Sequence, residues 1–387
     1  MKSDTTDLFK DIRSARDFEV PELIDSLLND KAFAKVATPI VKSFTTWESF
    51  AQILKSCNTI QDFQSKITQP LINLLIRKTT TSKVEALNWE NIGNGKGRTF
   101  ISNHRDIVLD AGFLNVLLYE NNMDTTEIAI GDNLLAYPWI TTLVRLNKSF
   151  IVNRSVPFRQ MLNTSIHLSK YIVDTVANRD QSVWIAQREG RAKDSNDRTQ
   201  ESLLKMLTLF DSKNPKEALM KLNITPLSIS YELDPCDYLK AIEYQLRRDH
   251  EDFKKSKGDD IRSMITGITG YKGHVVFKFG NSINKELNKI PASTERSILF
   301  NKVAEMIDKE IFNNYSFFSF NYIAHDMMTG ENNFTEHYTE EEKQQFDSYL
   351  NLQLDKINIE NKDIRFLRTK LIEMYGNTLK NYVDNQK

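Results

Sequence analysis

Residues 100–118 read FISNHRDIVLDAGFLNVLL, and the rest of the chain is read outward from them. The apolar pair Phe100 and Ile101 enters as a strand. A polar turn follows with His104, Arg105, Asp106 and Asp110, and the run AGFLNVLL continues as an apolar helix. Such a strand-to-helix turn points the first free backbone amides of the helix toward incoming negative charge. Asp106 suits an N-cap there, accepting bonds from those amides.

Beyond this stretch, short β-rich runs alternate with helical ones. The runs are TEIAIG (126–131), KSFIVNR (148–154), SVWIAQ (182–187), ITPLSISYE (224–232) and HVVFKFG (274–280), with helical patterning at 157–178 and 199–212 between them. That rhythm predicts an α/β fold: a mixed, mostly parallel sheet flanked by helices. Residues 1–88 carry apolar positions at helical spacing, as in Leu23, Ile24, Leu27 and Leu28, and residues 286–387 return to charged helical patterning. The expected organisation is a helical N-terminal region (1–88), an α/β domain (89–285) and a helical C-terminal region (286–387). The glycines Gly93, Gly95 and Gly97 read as a surface turn feeding the Phe100 strand.

A hydrophobic share of 40% and a charged share of 27% describe an ordinary soluble chain, and 51 basic against 52 acidic residues leave no global field for nucleic acid. Two cysteines, Cys57 and Cys236, are too few for a disulfide framework. No apolar run reaches the roughly eighteen residues of a membrane span, and the N-terminus has none at all. The expected location is the cytoplasm, with room for peripheral contact on the inner face of a membrane. LLAYPWITTLV (134–144) is a candidate for that contact, its alternative being a buried helix packed on the sheet.

His104-Arg105-Asp106 spells the tripeptide of a protein kinase catalytic loop, but that loop needs an asparagine where Ala111 stands. The glycine cluster lies too close upstream for a nucleotide-binding lobe, and Gly131-Asp132-Asn133 is not Asp-Phe-Gly. Kinase chemistry is excluded. No G-x-S-x-G elbow exists, and His167, His250, His274, His325 and His337 lack metal-ligand spacing, so neither a serine hydrolase nor a metal site is expected.

The remaining chemistry for His104 is that of a base. Imidazole titrates near neutrality, and a nearby carboxylate would fix its tautomer and stabilise the imidazolium. Transfer of an acyl group from a thioester to an alcohol needs such a base, and also a way to hold the acceptor. Residues 145–198 hold ten Lys or Arg against five acidic residues, a local excess suited to a phosphate-bearing acceptor.

Four ordered blocks resemble the glycerol-3-phosphate and 1-acylglycerol-3-phosphate acyltransferase superfamily. Ser102-Asn103-His104-Arg105 with Asp110 is similar to its N-H-R-x-x-x-D stretch. Phe150-Ile151-Val152-Asn153-Arg154 is similar to its F-F-I-x-R strand. Arg188-Glu189-Gly190-Arg191-Ala192-Lys193 is similar to its E-G-x-R-S-R block, and the strand Ile224–Glu232 with Pro226 is similar to the one bordering the acyl donor. The blocks cover the middle third of the chain. The resemblance implies His104 as general base, oriented by Asp110 or, alternatively, Asp106. It implies substrate contacts from Arg105, Arg154, Glu189, Gly190, Arg191 and Pro226. In one respect the chain departs from the family: five residues separate His104 from Asp110 where four are usual, and strict spacing would use Leu109.

The implied activity is direct transfer of a fatty acyl chain from acyl-CoA or acyl-acyl-carrier-protein, as co-substrate and with no bound cofactor. The acceptor would be a hydroxyl of glycerol 3-phosphate or its 1-acyl derivative, a lysophospholipid. Two alternatives stand beside it: an inactive relative serving as a lipid-binding or scaffolding protein, and an O-acyltransferase for an amino-acid lipid. The sequence does not specify an oligomeric state.

Overall fold

The computed structural model describes residues 7–42, 45–81, 83–93 and 96–387, so Gly95 of the glycine cluster lies outside the described residues. At the centre is a seven-stranded sheet: β1 (Val84–Leu87), β2 (Thr99–Ser102), β3 (Glu127–Gly131), β4 (Ser149–Val152), β5 (Val183–Ala186), β6 (Ile224–Tyr231) and β7 (Val275–Phe279). Their spatial order is β1-β7-β6-β2-β5-β3-β4. From β6 to β4 all neighbours are parallel; β7 pairs antiparallel with β6 and parallel with β1, which makes the sheet mixed. The five parallel strands therefore end on one edge, where ligands of open α/β sheets usually bind.

Alternation along the strands fills two cores. Phe100 and Trp184 face one side with Phe113, Leu114, Phe277 and Phe279, beneath the Gln69–Thr79 and Leu109–Glu120 helices. Ile101, Val183 and Ile185 face the other with Leu168, Ile172 and Phe300, from the Phe158–Val173 and Arg296–Asn313 helices. Both faces of these strands are covered, which is why they read as nearly continuous apolar runs. Removing the ring of Phe100, 2% exposed, would cost about 3–5 kcal/mol.

Among the described residues of 1–88 the chain is mostly helical, with one exception in β1, a short half-buried strand that joins the sheet beside β7. Ile12 enters the sheet core and its carbonyl accepts the Ile151 N–H at 2.8 Å, while the Arg296–Asn313 helix closes the same core. Near the N-terminus, Val20, Ile24 and Leu27 point into a separate cluster with Phe33, Val41, Phe50 and Leu54. The Pro138–Leu146 helix, from the LLAYPWITTLV segment, packs on that cluster through Trp139, Leu143 and Leu146 rather than on the sheet. The last helices, Ser319–Thr329, Glu340–Asp355 and Ile364–Gln386, form a fourth cluster with the Asp237–Asp249 helix. Among the described residues no helix is long and apolar enough to cross a membrane.

Gly97 is not the surface residue that the turn reading expects. It is buried, and a Cβ there would lie 2.3 Å from the Val176 carbonyl oxygen, so only glycine lets the chain pass so close to the segment after the Phe158–Val173 helix.

Candidate active site

At the end of β2 the sequence Ser102-Asn103-His104 locks itself to both neighbouring strands. The Asn103 amide donates to the Ile229 carbonyl at 2.8 Å and accepts the Ile229 N–H at 2.8 Å, tying the chain to β6. The Ser102 hydroxyl accepts the indole N–H of Trp184 on β5 at 3.0 Å and donates to the Asn103 carbonyl at 2.7 Å. The same indole meets the His104 ring edge-on, with centroids 5.4 Å apart. The imidazole thus leaves a backbone held on two sides and rests against a buried aromatic wall.

His104 Nδ1 lies 2.8 Å from Asp110 Oδ2, and Asp110 is fully buried. That oxygen also accepts the backbone N–H groups of Arg105 at 2.7 Å and Asp106 at 3.1 Å. A carboxylate can only accept here, so the imidazole proton sits on Nδ1 and the Nε2 lone pair is left for chemistry. Asp106 takes no part in this contact. Its Oδ1 accepts the N–H groups of Val108 at 2.9 Å and Leu109 at 2.7 Å, capping the Leu109–Glu120 helix. Burial, aided by neighbouring Asp110, pushes the Asp106 carboxyl above its ordinary range.

Two residues expected to contact substrate, Arg105 and Pro226, do not line the cavity that His104 faces. Arg105 turns away from the His104 side and is buried in an ion pair with Asp197, Nη2 to Oδ2 2.9 Å. Burial opposes its charge, but Asp197, Tyr315 and other nearby groups outweigh that and keep it protonated. Pro226 is buried within β6 opposite Ile101, and its carbonyl accepts the Gly280 N–H at 2.8 Å. A proline has no backbone N–H, so at this start of the β6–β7 pairing it accepts the Gly280 bond without donating one in return.

His104 opens into a cavity of about 910 Å³ at the carboxyl edge of the parallel strands. One wall is apolar, with Ile128, Ile130, Phe150, Val152, Leu168 and Met206. The other is polar and includes Arg154, Glu189, Gly190 and Arg191. Arg154 Nη1 donates to Glu189 Oε1 at 3.0 Å, so the ends of β4 and β5 are joined by a solvent-facing ion pair. Gly190 has φ +66° with nothing near a hypothetical Cβ, so its backbone conformation, not space, favours glycine. Burial works against the charge of Arg191, yet Cys236, Asp106 and Asp234 overcome it and hold its pKa above the ordinary value; its buried Nη1 has no hydrogen-bond partner.

A family model described as Acyltransferase matches residues 83–229, the span from just before β1 into β6. Residues 83–229 form an acyltransferase domain. The chain is also similar to a solved structure, that of the 1-acyl-sn-glycerophosphate (LPA) acyltransferase PlsC from Thermotoga maritima. The likeness covers 78% of this chain and 100% of that one, at 12% sequence identity and a TM-score of 0.36. No curated protein matches the sequence.

The acyltransferase domain does not build its site alone. Lys240, Glu243, Arg247 and Lys255, from the residues that follow β6, line the same cavity. Sequence reading passed over them because they lie outside the 145–198 basic stretch. Only the Glu243–Arg247 pair, four residues apart on a helix, was visible as a unit. Tyr231 was also missed as a neighbour of the dyad. Its hydroxyl is buried at the end of β6 without a resolved partner, as is Asp110 Oδ1, and burial together with Asp110 and Asp106 pushes the phenol well above its ordinary pKa.

Proposed function

We propose that the protein transfers a fatty acyl group from a thioester, acyl-CoA or acyl-acyl-carrier-protein, to a hydroxyl of glycerol 3-phosphate or its 1-acyl derivative. The observation that carries this reading is the His104–Asp110 pair, facing a cavity that is apolar on one wall and cationic on the other. His104 Nε2 takes the proton as the acceptor oxygen attacks the thioester carbonyl. The tetrahedral intermediate then collapses, the carbon–sulfur bond breaks, and the imidazolium returns the proton to the departing thiolate, giving an ester and a free thiol. Asp110 orients the ring and stabilises its protonated form.

Arg154 and Arg191 hold the acceptor phosphate in this reading, with Glu189 orienting Arg154 and the Gly190 turn presenting both blocks to the cavity. The apolar wall of β3, β4 and the Phe158–Val173 helix suits an alkyl chain. Acceptors and products are lipids or their precursors, which fits a protein working at the surface of a membrane.

The test is direct. Purified protein is incubated with a long-chain acyl-CoA and glycerol 3-phosphate or 1-acylglycerol 3-phosphate, and acceptor-dependent thiol release is followed. The expected result is turnover that His104→Ala lowers by at least about a hundredfold. Full activity in His104→Ala would overturn the mechanism, and silence with every donor and acceptor would favour a lipid-binding role.

A further inference from the structure

Glu243 lies on the Asp237–Asp249 helix with its side chain only 5% exposed, and three cations converge on it. Lys193 Nζ is 3.0 Å from one of its oxygens and Lys255 Nζ 3.0 Å from the other, while Arg247 Nη2 stands 2.8 Å away. Among the described residues, Lys255 alone of these three has a second acidic contact, Asp260 at 3.4 Å. All four residues of the cluster line the cavity that His104 faces. Glu243 and Asp260 bring two carboxylates to three cations, which leaves one positive charge over. A further cation, Arg188, lines the cavity with a buried Nε that has no hydrogen-bond partner, beside the unpartnered Nη1 of Arg191.

This group is built differently from the Arg154–Glu189 pair. That pair is one cation balanced by one carboxylate at the ends of two strands. The Glu243 group is over-cationic and comes mostly from the segment between β6 and β7. Burial is the main cause of a lowered Lys193 pKa; Glu243 works against it, and the nearby Lys255 and Arg247 add to it. An anion bound there would relieve all three cations together.

We infer that the Lys193–Arg247–Lys255 group around Glu243 binds the phosphates of the acyl donor, leaving Arg154 and Arg191 to the acceptor. Coenzyme A offers a pyrophosphate and a 3′-phosphate, whereas a carrier protein offers the single phosphodiester of its phosphopantetheine arm; phosphate is the chemistry they share. The inference rests on the acyl-transfer reading for the identity of its ligand. It adds where the donor is held, and by which residues.

Binding of coenzyme A to the full chain, measured by titration calorimetry without turnover, tests the site separately from the reaction. Lys193→Gln combined with Lys255→Gln should weaken binding about tenfold or more, whereas Glu243→Gln, which removes the competing carboxylate, should tighten it. A purely structural cluster would lose affinity in both variants, and that outcome overturns the inference, as does wild-type protein that fails to bind coenzyme A. In turnover, the double variant should raise KM about tenfold for acyl-CoA, less for acyl-phosphopantetheine, and leave acyl-pantetheine near the wild-type value. An increase in the KM of glycerol 3-phosphate instead would assign the cluster to the acceptor and overturn the inference. Coenzyme A binding without any acyl transfer would refute the proposed function while leaving the phosphate site standing.

Discussion

Asp110 Oδ2 reaches back over the first turn of its helix to sit 2.8 Å from His104 Nδ1, across a loop one residue longer than the related motif uses. The extra residue is absorbed because the same oxygen also gathers the Arg105 and Asp106 N–H groups, drawing the loop around the carboxylate. Asp106, the other candidate, is occupied with the helix terminus. Substitution should therefore separate the two aspartates. Asp110→Asn should lower acyl transfer by about 10²–10⁴-fold with little loss of fold, because the amide keeps the size but not the charge. Asp106→Ala should cost stability, about 1 kcal/mol from the lost cap, seen as a lower denaturation midpoint. Equal loss of turnover in Asp106→Asn, which still caps, would contradict this division.

Tyr231→Phe addresses the unfilled side of the dyad. With its pKa held well above the ordinary value, the phenol stays protonated and able to donate toward the free oxygen of Asp110. Without that donor the carboxylate holds the imidazolium more strongly. The acid limb of the kcat/KM profile should move to higher pH while thermal stability changes little; an unmoved limb would leave Tyr231 a packing residue.

Gly267, on the Lys257–Thr269 helix, leaves no space for a larger residue: an added Cβ would lie 1.9 Å from Asp106 Oδ2. Gly267→Ala should push the capping aspartate off its helix and destabilise the protein by about 1–3 kcal/mol. Chemical denaturation measures this, and a neutral result would mean that the Lys257–Thr269 helix shifts freely.

Asp237 supplies a pH signature far from the dyad. Buried, and close to Asp234, it has its pKa raised to about 7, although Tyr349 and Tyr375 donate to it at 2.6 and 2.9 Å. A carboxyl raised in the folded state retains its proton while the unfolded chain gives it up. Stability from this group is complete below about pH 4 and is lost as pH climbs to about 7. Asp237→Asn should remove that slope, so that the variant gains on the wild type in denaturation midpoints as pH rises from about 4 to about 7. Parallel slopes for the two proteins would rule the assignment out.

Much of the sheet was legible because β2 to β7 are apolar runs bounded by polar turns. The His104–Asp110 relationship was legible because both residues lie within one loop and one helical turn. β1 was not: it has four half-buried or exposed residues set between helical stretches, and only its pairing with β7 makes it a strand. Arg105 was named as a substrate contact through the resemblance, and its ion pair with Asp197 could not be foreseen because the two lie far apart in sequence. Pro226 is buried within β6, and the Glu243 cluster is assembled from separate segments that only the fold brings together.

β6 and β7 are antiparallel neighbours that a two-residue hairpin could join, yet residues 232–274 make an excursion of two helices before the chain returns. Sheet geometry imposes no length on that connection. Away from the Gly267–Asp106 contact, its length can change while the strand registry and the His104 loop stay as they are. Changes to that outer part would reshape the Lys255 side of the cavity and leave the sheet intact.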